Sequence, residues 1–307
     1  MVTTISENYH MPVMVDEVMK GLAIVPTGHY ADLTFGGGGH GRRIVESLSS
    51  GYLFAFDKDP EAAKMALLFR GKPFTFIRTS FRFVKEFINF YGIRQLDGLL
   101  ADLGTSSHQI DTPERGFSTR FDGVLDMRMD PNVAHSAQRV VNTYSVEQLA
   151  YILHFYGEVV RSTAIAKAII KARNRAPIAT TYQLKAIIEP FAPKLKVNQY
   201  LAKVFQAFRI EVNDELGALE RLLKHSVELI KPKGRLAIIA YHSLEDRFIK
   251  NFFNTGNVLG QVQKDAYGNL VRPFVPLQKK PFLPSIEEVG RNSRARSARL
   301  RVAVRVA

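Results

Sequence analysis

The chain has 307 residues, enough for one large domain or two ordinary ones, and its hydrophobic content of 46% is typical of a protein with a sizeable core. It contains no cysteine, which excludes disulfides, thiolate metal sites and a cysteine nucleophile. Lys and Arg number 42 against 29 acids, so the net charge of +13 predicts a polyanionic partner, with an anionic membrane surface as the alternative.

Two further classes are disfavoured by residue patterns. No apolar run approaches the length of a membrane span, and acids near the N-terminus argue against a signal peptide, so we expect a cytoplasmic protein. The histidines show no metal-ligand spacing such as H-E-x-x-H, and we therefore expect no metal.

The first strong signal in chain order is a glycine turn. Residues 1–29 are predicted to form an N-terminal segment with one short amphipathic helix, and the first strand, Tyr30 to Phe35, then runs into four glycines, His40 and a fifth glycine. Glycine permits positive φ and close approach of a ligand to the backbone, and a helix N-terminus offers unpaired N–H groups. The next strand ends in Asp57, at the spacing where a carboxylate meets ribose hydroxyls. A nucleoside-containing cofactor is predicted.

The glycine turn by itself leaves the cofactor open. Its spacing, Gly36-x-Gly38-x-x-Gly41, also satisfies the dinucleotide fingerprint, so a nicotinamide dinucleotide and S-adenosylmethionine both fit. A plain turn without a ligand is the structural alternative, but consecutive glycines cost conformational entropy on folding, which favours a function.

The fold class follows from the alternation of elements. Short apolar strands near 30–35, 52–56, 74–77 and 96–103 alternate with helices, which predicts an α/β fold whose parallel sheet is covered on both faces. The fifth comparable strand begins only at Arg235, and the gap is mainly helical. We therefore predict a discontinuous domain from residues 1–105 and 201–307, with an all-helical subdomain inserted at 106–200. The alternating ARLRVAVRV near the C-terminus predicts an edge strand with arginines on its outer face.

Asp102 is the main candidate for chemistry. It ends the fourth strand, at the same sheet edge as the glycine turn, and a carboxylate there is costly to bury without a dedicated partner. We expect it to face the reactive end of the cofactor; a cap on the following turn is the alternative.

Three other segments have two interpretations each. Residues 114–130 predict either an ordered loop over the active site or a surface ion-pair network. His242 and Glu245 follow the fifth strand and could contact substrate, although Ser243 and Asp246 resemble a helix-capping pair. The basic run at 161–175 could bind phosphates or form a solvated helix face.

Six motifs in this order and at these separations resemble one family, the bacterial small-subunit ribosomal RNA cytosine-N4 methyltransferases (methyltransferase H, or MraW). The motifs are TFGGGGHG, LLADLGTSS, ERGFSTRFDGVLDMRMD, VFQAFRIEVNDEL, YHSLEDR and RNSRARSARLRVA. The resemblance implies a class I (Rossmann-like) S-adenosylmethionine methyltransferase sheet with an inserted helical domain. It also implies a 30S ribosomal RNA substrate and methylation of a decoding-centre cytidine, C1402 in standard numbering.

The resemblance also implies site residues. Matched motif by motif, the expected cofactor contacts are Gly38, Gly39, His40, Asp57, Phe81, Asp102 and Gln109. Asp102, helped by Ser106 or a backbone carbonyl, is the expected acceptor of the amine proton. Two departures, Gly37 in place of arginine and His108 in place of proline, remove no contact residue.

The composition agrees with amine methylation. Methylation of cytosine at carbon 5 requires a cysteine nucleophile, which this chain lacks, whereas methylation at an amine requires alignment and a proton acceptor. The base must also be unstacked, and Phe117 or Phe121 could stack on it. Two alternatives remain: a nicotinamide-dependent oxidoreductase, and a non-catalytic ribosome-assembly protein that binds RNA.

Overall fold

The computed structural model describes residues 12–306, so residues 1–11 of the predicted N-terminal segment lie outside the described part of the chain. Within that part, one sheet is formed by strands β1 (His29–Asp32), β2 (Tyr52–Asp57), β3 (Phe74–Arg78), β4 (Leu96–Asp102), β5 (Ile230–Ala240), β6 (Phe274–Pro276) and β7 (Arg299–Arg305). The helices are α1 (Val15–Leu22), α2 (Gly39–Glu46), α3 (Pro60–Ala66), α4 (Val84–Phe90), α5 (Ser107–Asp111), α6 (Ala137–Thr143), α7 (Val146–Phe155), α8 (Ser162–Arg173), α9 (Thr181–Ile188), α10 (Val197–Asn213), α11 (Glu215–Leu229), α12 (Ser243–Thr255) and α13 (Ile286–Arg291).

The strand order is β3-β2-β1-β4-β5-β7-β6, in which β1 to β5 are parallel and β7 runs antiparallel to both of its neighbours. Alternate residues of each strand enter different cores, as the two-residue period of a strand requires. On β4, Leu99 packs with residues of α4, α11 and α12, while Leu100 packs with residues of α1, α2 and α3. The predicted α/β fold class with a sheet covered on both faces is confirmed.

The C-terminal strand differs from the prediction of an edge strand. β7 lies between β5 and β6, and the three-residue β6 forms the edge. The prediction that its arginines lie on an outer face is wrong for Arg301, which is only 8% exposed. Its guanidinium donates to both carboxylate oxygens of Asp246 on α12, at 2.6 and 3.1 Å. Alternation indicates the two faces of a strand, but it does not reveal which helix covers a face.

Residues Thr105–Leu216 form a second compact unit. Its helices, α5 to α10, surround a core of their own. The predicted continuous helical stretch from Gln199 to Leu229 is interrupted at Asp214, which has φ 47° and ends α10. The sequence placed the end of this unit at residue 200, whereas its contacts continue to Leu216.

The charged segment at 114–130 is ordered within this second unit. Leu125 and Met127 are fully buried in its core, so the segment is not excluded from the core by its charge. Arg128 donates to both oxygens of Asp126, at 2.6 and 2.9 Å, and Arg115 donates to the backbone carbonyls of Arg128 and Met129. Arg128 and Asp126 therefore form a local ion pair, and the interpretation of the segment as a loop over the active site stays a prediction.

No helix among residues 12–306 has the length and apolar character needed to cross a bilayer.

Asp246→Asn is expected to lower the free energy of unfolding by about 3–5 kcal/mol near pH 7, because Arg301 would keep its buried charge without a counter-ion. Burial opposes ionisation of Asp246, but Arg301 and Arg299 outweigh it and lower its pKa. The stabilisation is therefore present above the unfolded pKa and is lost as pH falls through the folded value. Urea unfolding should show the difference from wild type narrowing below about pH 4.

Glu86→Gln is the matched control, because its ion pair with Arg221 is solvent-exposed and contributes at most about 1 kcal/mol. An equal loss in both variants would contradict the structural role given to the buried pair.

Candidate active site

The glycine turn connects β1 to α2 with backbone geometry that requires glycine. Gly36 and Gly38 have φ of 49° and 76°, a region that side chains disfavour. A Cβ on Gly38 would lie 2.7 Å from the Phe35 ring, and one on Gly39 would lie 2.6 Å from Pro12. Gly38 is the N-cap of α2 and has no side chain to cap it, so no N-cap side chain accepts from the first backbone N–H groups of the helix.

Asp57, at the end of β2, is held by the same turn. Its Oδ2 accepts a hydrogen bond from the Gly36 backbone N–H at 2.8 Å, and its Oδ1 accepts one from Asp59 at 2.9 Å. Burial raises the pKa of Asp57, while these two backbone bonds oppose the rise. Each carboxylate oxygen has a second lone pair, so the side chain can also accept bonds from two ribose hydroxyls. Its position therefore fits the predicted role.

Asp32, at the end of β1, is a candidate site residue that the sequence patterns did not single out. It is 1% exposed; Oδ1 accepts a bond from Thr34 N–H at 3.2 Å, and Oδ2 has no hydrogen-bond partner among the described residues. Burial raises its pKa to about 6, although His40 lowers it in part. The burial cost that selected Asp102 also applies to Asp32, which lies within the predicted first strand, Tyr30 to Phe35, and that argument could have found it.

Asp102 ends β4, which pairs directly with β1. Its backbone N–H donates to Thr34 Oγ1 at 2.6 Å, and its buried Oδ1 has no hydrogen-bond partner within residues 12–306. Tyr241 follows directly after β5, and burial, together with the nearby Asp102 carboxylate, raises the pKa of Tyr241 well above its ordinary value. Because β1 lies between β2 and β4, the three acids that end these strands share one sheet edge. Such a cluster can stabilise a ligand that carries positive charge.

His40 and Phe81 have packing roles in addition to their predicted ones. His40 is buried, and its Nε2 lies 2.9 Å from the Val13 carbonyl oxygen, which fixes one ring nitrogen. Phe81 begins a short helical turn capped by Ser80 and packs against one sheet core. Cofactor contact by either residue remains a prediction.

Ser106 and Gln109 belong to the second unit and form a capping box at the start of α5. Ser106 Oγ accepts from the Gln109 N–H, and Gln109 Oε1 accepts from the Ser106 N–H, each at 3.2 Å. The two side chains therefore position each other. The catalytic role of Ser106 and the cofactor contact of Gln109 remain predictions.

The two candidate stacking rings in the second unit differ in exposure. Phe117 is partly buried against the helical core, whereas Phe121 is 39% exposed, with the Arg120 guanidinium 5.5 Å from its ring centroid.

In the basic run at 161–175, the Arg173 guanidinium donates to the backbone carbonyls of Val141 and Tyr144. This arginine therefore stabilises the fold of the helical unit.

The capping pair predicted after the fifth strand is displaced by one residue. His242, not Ser243, is the N-cap of α12, and its Nδ1 accepts from the Glu245 N–H at 3.5 Å. Glu245 is buried and its Oε2 accepts from the Tyr241 N–H at 3.0 Å. Asp246 pairs with Arg301 instead of capping, because β7 brings that cation to α12.

Comparison with known proteins identifies the family. The model of the MraW methylase family matches residues 7–306. The chain belongs to this family. A ribosomal RNA small subunit methyltransferase H from Amoebophilus asiaticus is 54% identical over 302 residues, covering 98% of this chain and 97% of its own. One from Cytophaga hutchinsonii is 50% identical over 297 residues, covering 97% of this chain and 99% of its own.

The resemblance seen in the six motifs is therefore confirmed. The family uses S-adenosylmethionine, which confirms the predicted cofactor over a nicotinamide dinucleotide. A solved putative methyltransferase from Streptococcus mutans in complex with SAH aligns with 97% of this chain and 100% of its own, at 11% identity and a TM-score of 0.41. That likeness is too distant to carry an argument about the site.

Asp32→Asn is expected to stabilise the protein above pH 7. The folded pKa of about 6 lies above the ordinary aspartate value of 3.8, and at 1.36 kcal/mol per unit this difference corresponds to about 3 kcal/mol. Because the folded pKa is raised, stability is greatest below the unfolded pKa and falls as pH rises through about 6. Urea unfolding at pH 8 and pH 4 should show the gain only at pH 8.

Glu46→Gln, an exposed acid on α2, serves as the control and should change stability by less than about 0.5 kcal/mol at either pH. A stabilisation by Asp32→Asn that is the same at pH 4 and pH 8 would show that ionisation is not its cause.

Proposed function

We propose that this MraW-family protein transfers a methyl group from S-adenosylmethionine to the N4 amine of a cytidine in small-subunit ribosomal RNA, C1402 of the decoding centre. The observation that carries the chemistry is the Asp102 carboxylate, whose buried Oδ1 has no hydrogen-bond partner among residues 12–306 and lies at the edge shared with the glycine turn. Relatives named ribosomal RNA small subunit methyltransferase H support the substrate class.

The residues of the sheet edge fit the cofactor. Asp57 would hold the ribose hydroxyls, and the backbone of the turn at Gly38 and Gly39 would contact the cofactor. Asp32 and Asp102 would favour the positively charged methionine portion. We further propose that His40, Phe81 and Gln109 complete the contacts, as the motif match implies.

The target amine determines what the protein must supply. When bound, S-adenosylmethionine provides an electrophilic methyl group on a sulfonium. The cytosine amine is a weak nucleophile because its lone pair is delocalised into the ring, so it must be held in line and must lose a proton. Asp102 Oδ1 would accept that proton, and Ser106 would assist in orienting the amine.

The RNA partner accounts for the charge of the chain. A net charge of +13 suits association with phosphates, and the 30S subunit is the assembly in which the proposed nucleotide lies. The helical unit at Thr105–Leu216 would recognise the RNA, with Phe121 available to stack on an unstacked base. We expect the protein to act in the cytoplasm, where ribosomes are assembled.

Deletion of the gene should remove N4-methylated cytidine from small-subunit RNA, as measured by nucleoside mass spectrometry. Wild-type protein should restore it, while Asp102→Asn, which has nearly the same shape but cannot accept the proton, should lower the methylation rate at least about 100-fold. Retention of the modified nucleoside in the deletion strain would refute the reaction. Near-normal methylation by Asp102→Asn would refute only the role of Asp102.

Asp57→Ala should abolish S-adenosylmethionine binding in calorimetry, because the ribose acceptor and the Gly36 contact are both lost. Asp97→Asn is the matched control: this partly buried acid at the other end of β4 accepts from the His29 N–H and pairs with Lys231, and its loss should leave cofactor affinity unchanged.

The same calorimetry addresses the non-catalytic alternative. If wild-type protein bound ribosomal RNA but not S-adenosylmethionine, a non-catalytic assembly role would replace the proposal.

A further inference from the structure

We propose that Lys279 and Lys280, called here the lysine pair, form a phosphate-binding site at the end of the sheet edge that carries Asp102. There they bind the RNA backbone on one side of the target cytidine. The inference rests on the function proposed above and deepens it, because it assigns an RNA contact to the sheet-containing unit. Neither lysine belongs to the six motifs.

The register of the sheet places the lysine pair relative to Asp102. Asp102 of β4 pairs with Ile239 of β5. Ile239 pairs with Leu300 of β7, which forms an isolated bridge with Phe282. Neighbouring strands lie about 4.8 Å apart, so this cross-strand row spans about 15 Å from Asp102 to Phe282. The lysine pair comes just before Phe282 in the sequence and therefore lies at the outer end of the row.

Hydrogen bonds to β7 hold the backbone on both sides of the lysine pair. The backbone N–H groups of Leu277 and Phe282 donate to β7 carbonyls at 2.9 and 2.8 Å. Between these two residues, the Arg301 guanidinium donates to the Lys279 carbonyl at 3.2 Å. Both lysine side chains are exposed. The protein therefore fixes the path of this segment while its two ammonium groups face solvent.

The local charge favours an anion. Arg301, which binds the Lys279 carbonyl, also pairs with Asp246, and Arg299 lies 3.3 Å from the same carboxylate. Two arginines thus match the single negative charge of Asp246. Lys279 and Lys280 take part in none of the ion pairs formed within the described part of the chain, so their charges are uncompensated. This end of the sheet edge therefore attracts a negatively charged ligand.

An RNA strand is the anion that suits this position. The target base must leave its stack to reach the sheet edge, whereas the flanking nucleotides stay outside and present their phosphates. A lysine ammonium group is a compact charge with three donors, and it commonly binds phosphate. Phosphate contacts fix the register of a nucleic acid without reading its sequence. The lysine pair would therefore help to set which nucleotide reaches Asp102.

Such a site should affect binding of RNA and not the chemical step. The lysine pair is remote from the reacting atoms, so its contacts are equally strong in the bound substrate and in the transition state. Loss of such contacts raises KM and leaves kcat unchanged. It also reduces the number of counterions released from the RNA, which makes binding less sensitive to salt.

Lys279→Gln combined with Lys280→Gln removes both charges and keeps polar side chains. At about 0.15 M salt, the Kd for 30S subunits from the deletion strain and the KM for their methylation should rise about 10- to 30-fold. The slope of log Kd against log salt concentration should become shallower by about 1.5, because each phosphate contact contributes about 0.7 to 0.9. The kcat, and the Kd for S-adenosylmethionine in calorimetry, should change less than about 2-fold.

Lys279→Arg combined with Lys280→Arg keeps both charges and should bind 30S subunits with the affinity and salt slope of wild type. A loss of affinity as large as that of the glutamine variant would show that the segment acts through its fold, and it would overturn the phosphate site.

Lys264→Gln combined with Arg272→Gln is the matched control, because it removes two positive charges that precede the opposite end of β6. Phe274, the first residue of β6, pairs with Arg305, at the other end of β7 from Leu300. This control should change the Kd for 30S subunits less than about 3-fold, because these charges lie away from the edge that carries Asp102.

The outcomes separate the two proposals. Equal weakening by the control and by the glutamine variant of the lysine pair would show that net charge is the cause, and it would overturn the site. An unchanged Kd and salt slope in the glutamine variant would do the same. Wild-type protein that binds 30S subunits without methylating them would overturn the proposed function alone, because the salt slopes would still test the lysine pair.

Discussion

The structure depends on three carboxylates that meet at one edge of a parallel sheet. Asp32, Asp57 and Asp102 end adjacent strands. Asp32 is buried, and Asp32 Oδ2 and Asp102 Oδ1 are buried atoms without a hydrogen-bond partner among residues 12–306, an arrangement that costs free energy. The raised pKa of Asp32, about 6, expresses that cost directly. Groups that destabilise a fold and converge on one place are typical of a binding or catalytic site, because their charge is compensated when the ligand is bound.

Hydrogen bonds connect the glycine turn to two of the carboxylate residues. The Gly36 N–H donates to the Asp57 carboxylate at the end of β2. The Thr34 hydroxyl, just before the turn, accepts from the backbone N–H of Asp102 at the end of β4. The turn therefore joins the ends of three strands.

The basic residues of the chain have structural roles as well as the proposed contacts with phosphates. Arg301 pairs with Asp246 in the interior, and Arg173 donates hydrogen bonds to two backbone carbonyls of the helical unit. A net charge predicts the class of partner. It does not identify which cations are exposed, because each arginine can also bind an acid or a carbonyl supplied by a distant part of the chain.

The sequence by itself determined the α/β class, the glycine turn, the acids that end β2 and β4, and the family, because these depend on local periodicity and on short motifs. Only the tertiary structure decided the place of β7, the partner of Arg301 and the break at Asp214. Each depends on which strands and helices become neighbours. Such contacts join residues that are far apart in the sequence, and a local sequence pattern cannot predict them.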